Sequence, residues 1–222
     1  MSIDWFPVWL SLRVSALATL LSLAIGVALA WVMANRNFSG KNILDAVVTL
    51  PLVLPPTVLG YYLLVSVGRN AFPGQLYEKL TGQPLVFTWQ AAVLASTLHA
   101  VPLLAKSARA AFESVDGRFE RAARTLGASE LRVFWRVSVP LARRSLLAAT
   151  VLAFARCMGD FGTTLMVAGD IPGRTQTVSI AIYDAVQSGN GVAARVLVLV
   201  VSVVTIAIVY LAGRVERTRE TA

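Results

Sequence analysis

Charge is what this chain has least of. Only 14% of its 222 residues are Asp, Glu, Lys or Arg, against roughly 25% in soluble domains. With 56% hydrophobic residues and a mean hydropathy of +0.68, that shortage excludes an ordinary water-soluble domain. It predicts a polytopic membrane protein with little mass outside the bilayer. The single cysteine, Cys157, excludes a disulfide within the chain and a multi-cysteine metal site, and reads as a space-filling residue. The single histidine, His99, lies in an apolar run, so no metal centre is expected. It reads as a packed, hydrogen-bonded residue rather than a proton relay.

Acids are scarcer than bases, 12 against 20, which leaves a net charge of +8. The excess does not form a nucleic-acid-binding patch. The arginines flank apolar runs, and membrane topology accounts for that placement. A P-loop is missing as well. The motif G-x-x-x-x-G-K-[ST] finds only Gly40-Lys41, with Asn35 in place of the first glycine and Asn42 in place of the Ser or Thr. The chain is therefore not expected to hydrolyse ATP. Residues 1–7 contain Asp4 and no Lys or Arg, so the start does not read as a cleavable signal peptide.

What the chain does have is apolar runs of membrane-crossing length. Five spans are expected, at about 9–34, 46–68, 88–105, 141–161 and 192–213. Val14 to Ala34 alone is uncharged and, at ~1.5 Å per residue, covers the ~30 Å hydrocarbon core. The second span carries Pro51, Pro55 and Pro56, which remove helix hydrogen bonds. This is either a packing kink or the lining of a gate. Five spans put the two ends on opposite faces. One face then holds fourteen basic residues, including Arg36, Lys41, Lys106, Arg109, Arg143, Arg144, Arg214, Arg217 and Arg219. The other holds three: Arg69, Lys79 and Arg174. The positive-inside rule makes the first face cytoplasmic, with the N-terminus outside and the C-terminus inside.

Between the third and fourth spans lies the longest charged segment, residues 118–140, RFERAARTLGASELRVFWRVSVP. Phe119, Ala122, Ala123 and Leu126 fall at helical spacing and make one face small and apolar. Gly127 can end that helix in a left-handed conformation. Ser129 can cap a second short helix bearing Leu131, Phe134 and Trp135, and Pro140 suits the first turn of the next span. The result is a helical hairpin on the cytoplasmic face. Physics alone leaves two readings, an amphipathic loop held by anionic lipid or a handle for a protein partner.

The spacing Ala122-Ala123, three residues, Gly127, nine residues, Val137-Ser138-Val139-Pro140 resembles the EAA loop of ABC-importer permeases. That pattern is Glu-Ala-Ala, three residues, Gly, nine residues, Ile, any residue, Leu, Pro. Arg121 stands at the glutamate position with Glu120 one residue before it, and valines replace Ile and Leu. The stretches Leu50 to Arg69, Glu120 to Ala128, and Ala155 to Thr177 (ARCMGDFGTT and IPGRTQT among them) resemble the molybdate permeases of that group. Sulfate and tungstate permeases are close relatives.

The resemblance implies an all-α integral membrane protein of the type I importer fold over residues 9–213, in a bacterial inner membrane. It implies a homodimer that translocates a tetrahedral oxyanion along a pathway between its copies. Two cytoplasmic ATPase subunits would bind ATP and Mg²⁺, this chain carrying no cofactor, and an oxyanion-binding protein would dock outside. The hairpin becomes the ATPase-coupling element, through Glu120, Arg121, Ala122, Ala123, Gly127 and Pro140. Asp170 to Thr177 resembles the outer loop that meets the binding protein.

Ionisable groups inside a span are functional candidates by default. Arg156 and Asp160 are four apart and share a helix face. They form either a self-neutralised pair or a point where Arg156 meets the anion. Thr163 and Thr164 could add hydroxyl donors beside that route, and Pro55 and Pro56 a gate. Arg13 and Arg195 form an outer basic rim or simply snorkel. Two rivals remain at this point. A membrane-embedded enzyme would need convergent acid–base groups, and no motif joins His99, Arg156 and Asp160. An ATP-independent channel or carrier gives no reason for the hairpin.

Overall fold

The computed structural model describes residues 4–35 and 38–217, with side chains as far as Tyr210. Arg36 and Arg219, counted above as cytoplasmic, lie outside the described residues; Arg214 and Arg217 are described by backbone alone. Every regular element among the described residues is helical.

Helix α5 (Trp89–Glu113) is the central post. Alanines run down it, with Ala91, Ala92, Ala95, Ala100, Ala105 and Ala108 fully buried. Helix α1 (Phe6–Asn35) packs along α5, and its Gly26 brings a backbone against Leu104 and Ala105: a Cβ there would lie 3.0 Å from Leu104 Cδ2. Lipid offers no hydrophobic drive to join two helices, so small residues that permit close approach set this core. Helix α8 (Val139–Met158) closes the other side of α5, and α11 (Gly191–Arg217) lies against α8. Outward faces carry large exposed apolar residues such as Leu20, Ile43, Val203 and Ile206. In water such surface would be a liability; against lipid it is the expected coat.

Among the described residues, four helical stretches are long and apolar enough to cross a membrane: α1, α5, Glu130–Met158, and Gly191–Tyr210 of α11. A fifth crossing needs a bent pair, α2 (Lys41–Val53) with α3 (Pro56–Val67), which meet at 114°. This corrects the expected single kinked span at 46–68. Pro55 and Pro56 both lack an N–H, so the carbonyls of Pro51 and Leu52 lose their helical donors. Each proline also drives the residue before it out of the helical region, and Leu54 and Pro55 are extended, with ψ of 144° and 139°. Back-to-back prolines break the helix rather than kink it.

Three other boundaries differ. The helix expected over 88–105 continues to Glu113, and the polar loop 68–87 contains the short helix α4 (Phe72–Thr81). The fourth span, expected at 141–161, begins within a continuous helix and ends at Met158. Glycine and a buried acid follow, so Asp160 has left the helix. The outer segment 162–191 holds α9 (Gly162–Ala168) and α10 (Val178–Gln187).

Candidate functional site

Two regions carry the candidate residues. The first is the hairpin. Helix α6 (Gly117–Thr125) starts at Asp116, whose carboxylate accepts from the Arg118 N–H at 2.9 Å. It ends where Gly127 adopts a φ of 80°, and the Ala128 N–H returns to the Ala123 carbonyl at 3.1 Å. A left-handed glycine closes the helix as the sequence predicted. Helix α7 (Glu130–Val133) follows. Ser129 sits at its N-cap with extended backbone, but its side chain makes no capping bond.

Residues Phe134–Ser138 form a π-helical turn, with the Val139 N–H bonding to the Phe134 carbonyl, and the chain runs on into α8. The wider turn fits Pro140, whose ring would clash with the carbonyl four residues back in a regular helix.

The hairpin is fastened by its second half. Val133 is fully buried, and Phe134 stacks edge-on against Trp31 at 5.3 Å and Trp135 at 5.0 Å. Glu120 supplies the polar fastening. It is buried, accepts from Ser138 Oγ at 2.6 Å, and lies 3.5 Å from Arg124 Nη2. With its amide turned to satisfy both neighbours, Asn35 donates to Glu120 Oε2 at 3.1 Å and accepts from Trp31 Nε1 at 2.9 Å. Arg124 also grips Glu130 at 2.8 and 3.2 Å. That hydrogen bonding raises the Arg124 pKa above its ordinary value, against a smaller opposing effect of desolvation.

So Glu120 points into the fold, whereas Arg121, Ala122, Gly127 and Pro140 are exposed and Ala123 is half-buried. Phe119 and Leu126 stand out with Ala122, Leu126 being 88% exposed. The acid next to Arg121 is thus a structural tether, and what α6 presents outward is small, apolar and basic.

The second region surrounds the proline break. Helix α9 lies on α3 at backbone distance: a Cβ on Gly60 would come 2.6 Å from Met166 Cβ, and one on Gly162 2.9 Å from Pro56 Cβ. Thr163 donates to the Pro56 carbonyl at 3.0 Å. Thr164 donates to Asp160 Oδ2 at 2.6 Å. The other carboxylate oxygen faces His99 Nδ1 at 3.1 Å and Arg156 Nη1 at 3.7 Å. His99 also lies 3.4 Å from Thr163 Oγ1. A buried carboxylate in a span must be neutralised and hydrogen-bonded, and Asp160 has both.

The geometry therefore brings together Pro56, Arg156, Asp160, Thr163 and Thr164, and adds His99. Asp160 leaves the helix after Gly159 yet keeps the expected Arg156 pair at 3.7 Å, and it gains a nearer basic group in His99 at 3.1 Å. Thr163 and Thr164 are buried, and both hydroxyls donate within the protein, which ties α9 to the Pro56 carbonyl and to Asp160. His99 was legible as packed and hydrogen-bonded, but not as the partner of Asp160. The available signal was that His99 joins Arg156 and Asp160 as an ionisable group within the spans, and a buried acid there calls for every nearby base.

At the outer end, Arg13 stacks 3.9 Å from the Trp89 ring centroid and Arg195 turns back to the Gly191 carbonyl at 2.9 Å. The 170–177 loop is stapled by Gln176 to Asp170 at 2.8 Å and by the Val178 N–H to Ser11 Oγ at 2.8 Å. It leaves Pro172, Gly173 and Arg174 exposed at its tip. Among the described residues no three His, Cys, Asp or Glu side chains cluster to hold a metal.

Comparison with known proteins bears on both regions. Residues 23–219 match the family model described as the binding-protein-dependent transport system inner membrane component. The chain is 42% identical over 221 residues to the Molybdenum transport system permease protein ModB of Escherichia coli strain K12, covering 99% of this chain and 96% of that one. It is 44% identical over 179 residues to the ModB protein of Haemophilus influenzae, covering 81% and 78%. Its fold matches an inward-facing structure of the MetNI methionine ABC transporter with a TM-score of 0.75 at 18% identity, over 98% of this chain and 99% of that one. The chain belongs to the family of binding-protein-dependent transport system inner membrane components.

Proposed function

We propose that this chain is the permease subunit of an ABC importer that carries molybdate inward, powered by ATP hydrolysis on partner subunits. The 42% identity across essentially the whole chain to a molybdenum permease supports the substrate. The single observation that supports the power source is the outward face of α6. Phe119, Ala122 and Leu126 form an apolar stripe on a helix otherwise basic, and among the described residues none covers them.

Two copies sit side by side in the inner membrane, N-termini outside. Two ATPase subunits, which hold ATP and Mg²⁺, each grasp one α6. A binding protein delivers the oxyanion to the outer face, where the 172–174 loop tip is exposed. ATP draws the ATPases together and the two hairpins follow. Because Glu120, Val133 and Phe134 lock each hairpin to α1 and α8, the motion passes into the spans as a rigid-body rotation. The α2–α3 break, with α9 stacked on it, is the movable part of the outer gate, through Pro55 and Pro56. Hydrolysis resets the inward-facing state.

The test is uptake into proteoliposomes holding the chain, its ATPase and its binding protein, with molybdate, tungstate and sulfate supplied separately. ATP-dependent accumulation of molybdate in preference to sulfate is expected. Accumulation without ATP would leave a channel or carrier, and a preference for sulfate would overturn the substrate.

A further inference from the structure

Helix α8 has two exposed flanks of opposite character. One lines a groove of about 790 Å³ shared with α1, walled by Leu20, Val27, Trp31, Leu146 and Leu147, where Arg143 is the one charged residue. The other lines a groove of about 580 Å³ shared with α5, formed by Ser107 and Ala110 with Arg144, Ser145, Ala148 and Leu152. The second flank continues to Arg156. Eleven residues make just over three turns, so Leu152 and Arg156 each lie within ~20° of the line through Ser145, while Arg144 and Arg156 are ~18 Å apart along the axis and ~120° apart around it, at the two edges of the flank. Ser107, Arg144 and Ser145 are three of the seven residues lining this groove, whereas the α1–α8 groove sets Arg143 and Thr150 among thirteen apolar and aromatic ones, so the α5–α8 flank is the one suited to water and an anion.

Resting on the importer reading above, we propose that the α5–α8 flank is the inner half of the translocation route. Arg144, with the Ser107 and Ser145 hydroxyls, forms the cytoplasmic anion contact. Arg156 is the upper contact and the small, uncharged stretch at Ala148 and Leu152 is the passage between them. A tetrahedral dianion suits this set, because guanidinium and hydroxyl groups both donate to its oxygens. An uncharged middle prevents it from being held too firmly to leave.

The α1–α8 flank faces lipid. Leu147 and Leu152 make a matched pair, since both are leucines and are 48% and 54% exposed. Leu147 lies about 1.4 turns nearer the cytoplasmic end, so depth alone would favour its labelling.

The experiment uses the full transporter with its ATPase in liposomes, in a Cys157→Ser background. Leu147→Cys and Leu152→Cys are treated with a small charged thiosulfonate, and uptake is measured for Arg144→Gln and Arg144→Lys. Leu152→Cys is expected to react at least tenfold faster than Leu147→Cys, and Leu147→Cys to transport normally. Arg144→Gln is expected to lose about tenfold in molybdate uptake while still co-purifying with the ATPase, and Arg144→Lys to recover most of it. Equal or reversed labelling, or full uptake by Arg144→Gln, would overturn the route. If the unsubstituted transporter shows no ATP-driven uptake, the importer reading fails, and the labelling contrast still decides which flank meets water.

Discussion

The hairpin and the proline break use the same few residue types to opposite ends. In the hairpin, the one buried acid is turned inward and the apolar residues Phe119 and Leu126 are turned out. At the break, the polar groups are turned inward on one another, from His99 through Asp160 to Thr164, and glycines remove any gap between α3 and α9. A surface whose greasy side faces water is waiting for another chain. A broken helix whose buried side chains Asp160, Thr163 and Thr164 are bonded within the chain is packed without a partner. The hairpin can be damaged without unfolding the chain, whereas the break cannot.

Substitutions can break that contrast. Gly127→Trp is the largest expected effect on function. Nothing lies within 4 Å of a Cβ built there, so the fold loses only about 1 kcal/mol for a side chain at positive φ. A bulky ring on the exposed end of α6 should nonetheless abolish ATP-driven uptake, while membrane insertion and thermal unfolding stay close to those of the parent. Gly60→Val is the reverse case. Its Cβ would collide with Met166, and overpacking of about 3 kcal/mol should appear as a lowered melting temperature in detergent. Asp160→Ala should cost about 2 kcal/mol, because His99 and Thr164 lose a buried partner. Asp160→Asn, which keeps an acceptor for Thr164, should cost less in the same melt. Arg124→Ala should be the mildest. Its close pair with Glu130 lies near the surface, and buried Glu120 keeps its bond from Ser138, so loss below ~1 kcal/mol is expected. A melt as damaged as that of Gly60→Val would show that the hairpin is part of the core after all.

Much of this was legible in the sequence where the information is local. The spacing of Ala122, Gly127 and Pro140 is a statement about neighbouring turns, and the helix, its left-handed stop and the start of α8 followed it. Adjacent prolines announced trouble at Pro55 and Pro56. The full 114° break required counting that two successive donors, not one, are missing. Partners distant in sequence were illegible. Glu120 finds Ser138 across a turn and Asn35 on another helix; Asp160 finds His99 on α5. The i, i+4 rule found Arg156 for Asp160, a pair that persists at 3.7 Å although the helix ends before Gly159, but it could not find the nearer His99. The threonines read as route-lining donors because hydroxyls in a span suggest a pathway, and only packing shows where they donate.

Coupling in this importer depends on whether the outward stripe of α6 is what the ATPase holds. The direct measurement is the amount of ATPase retained per permease after detergent purification of the Phe119→Ser, Leu126→Ser double variant. Both side chains are exposed, so this variant should melt as the parent does. The prediction is that the parent holds one ATPase per copy and the double variant loses most of it; undiminished retention by a folded double variant would contradict the account.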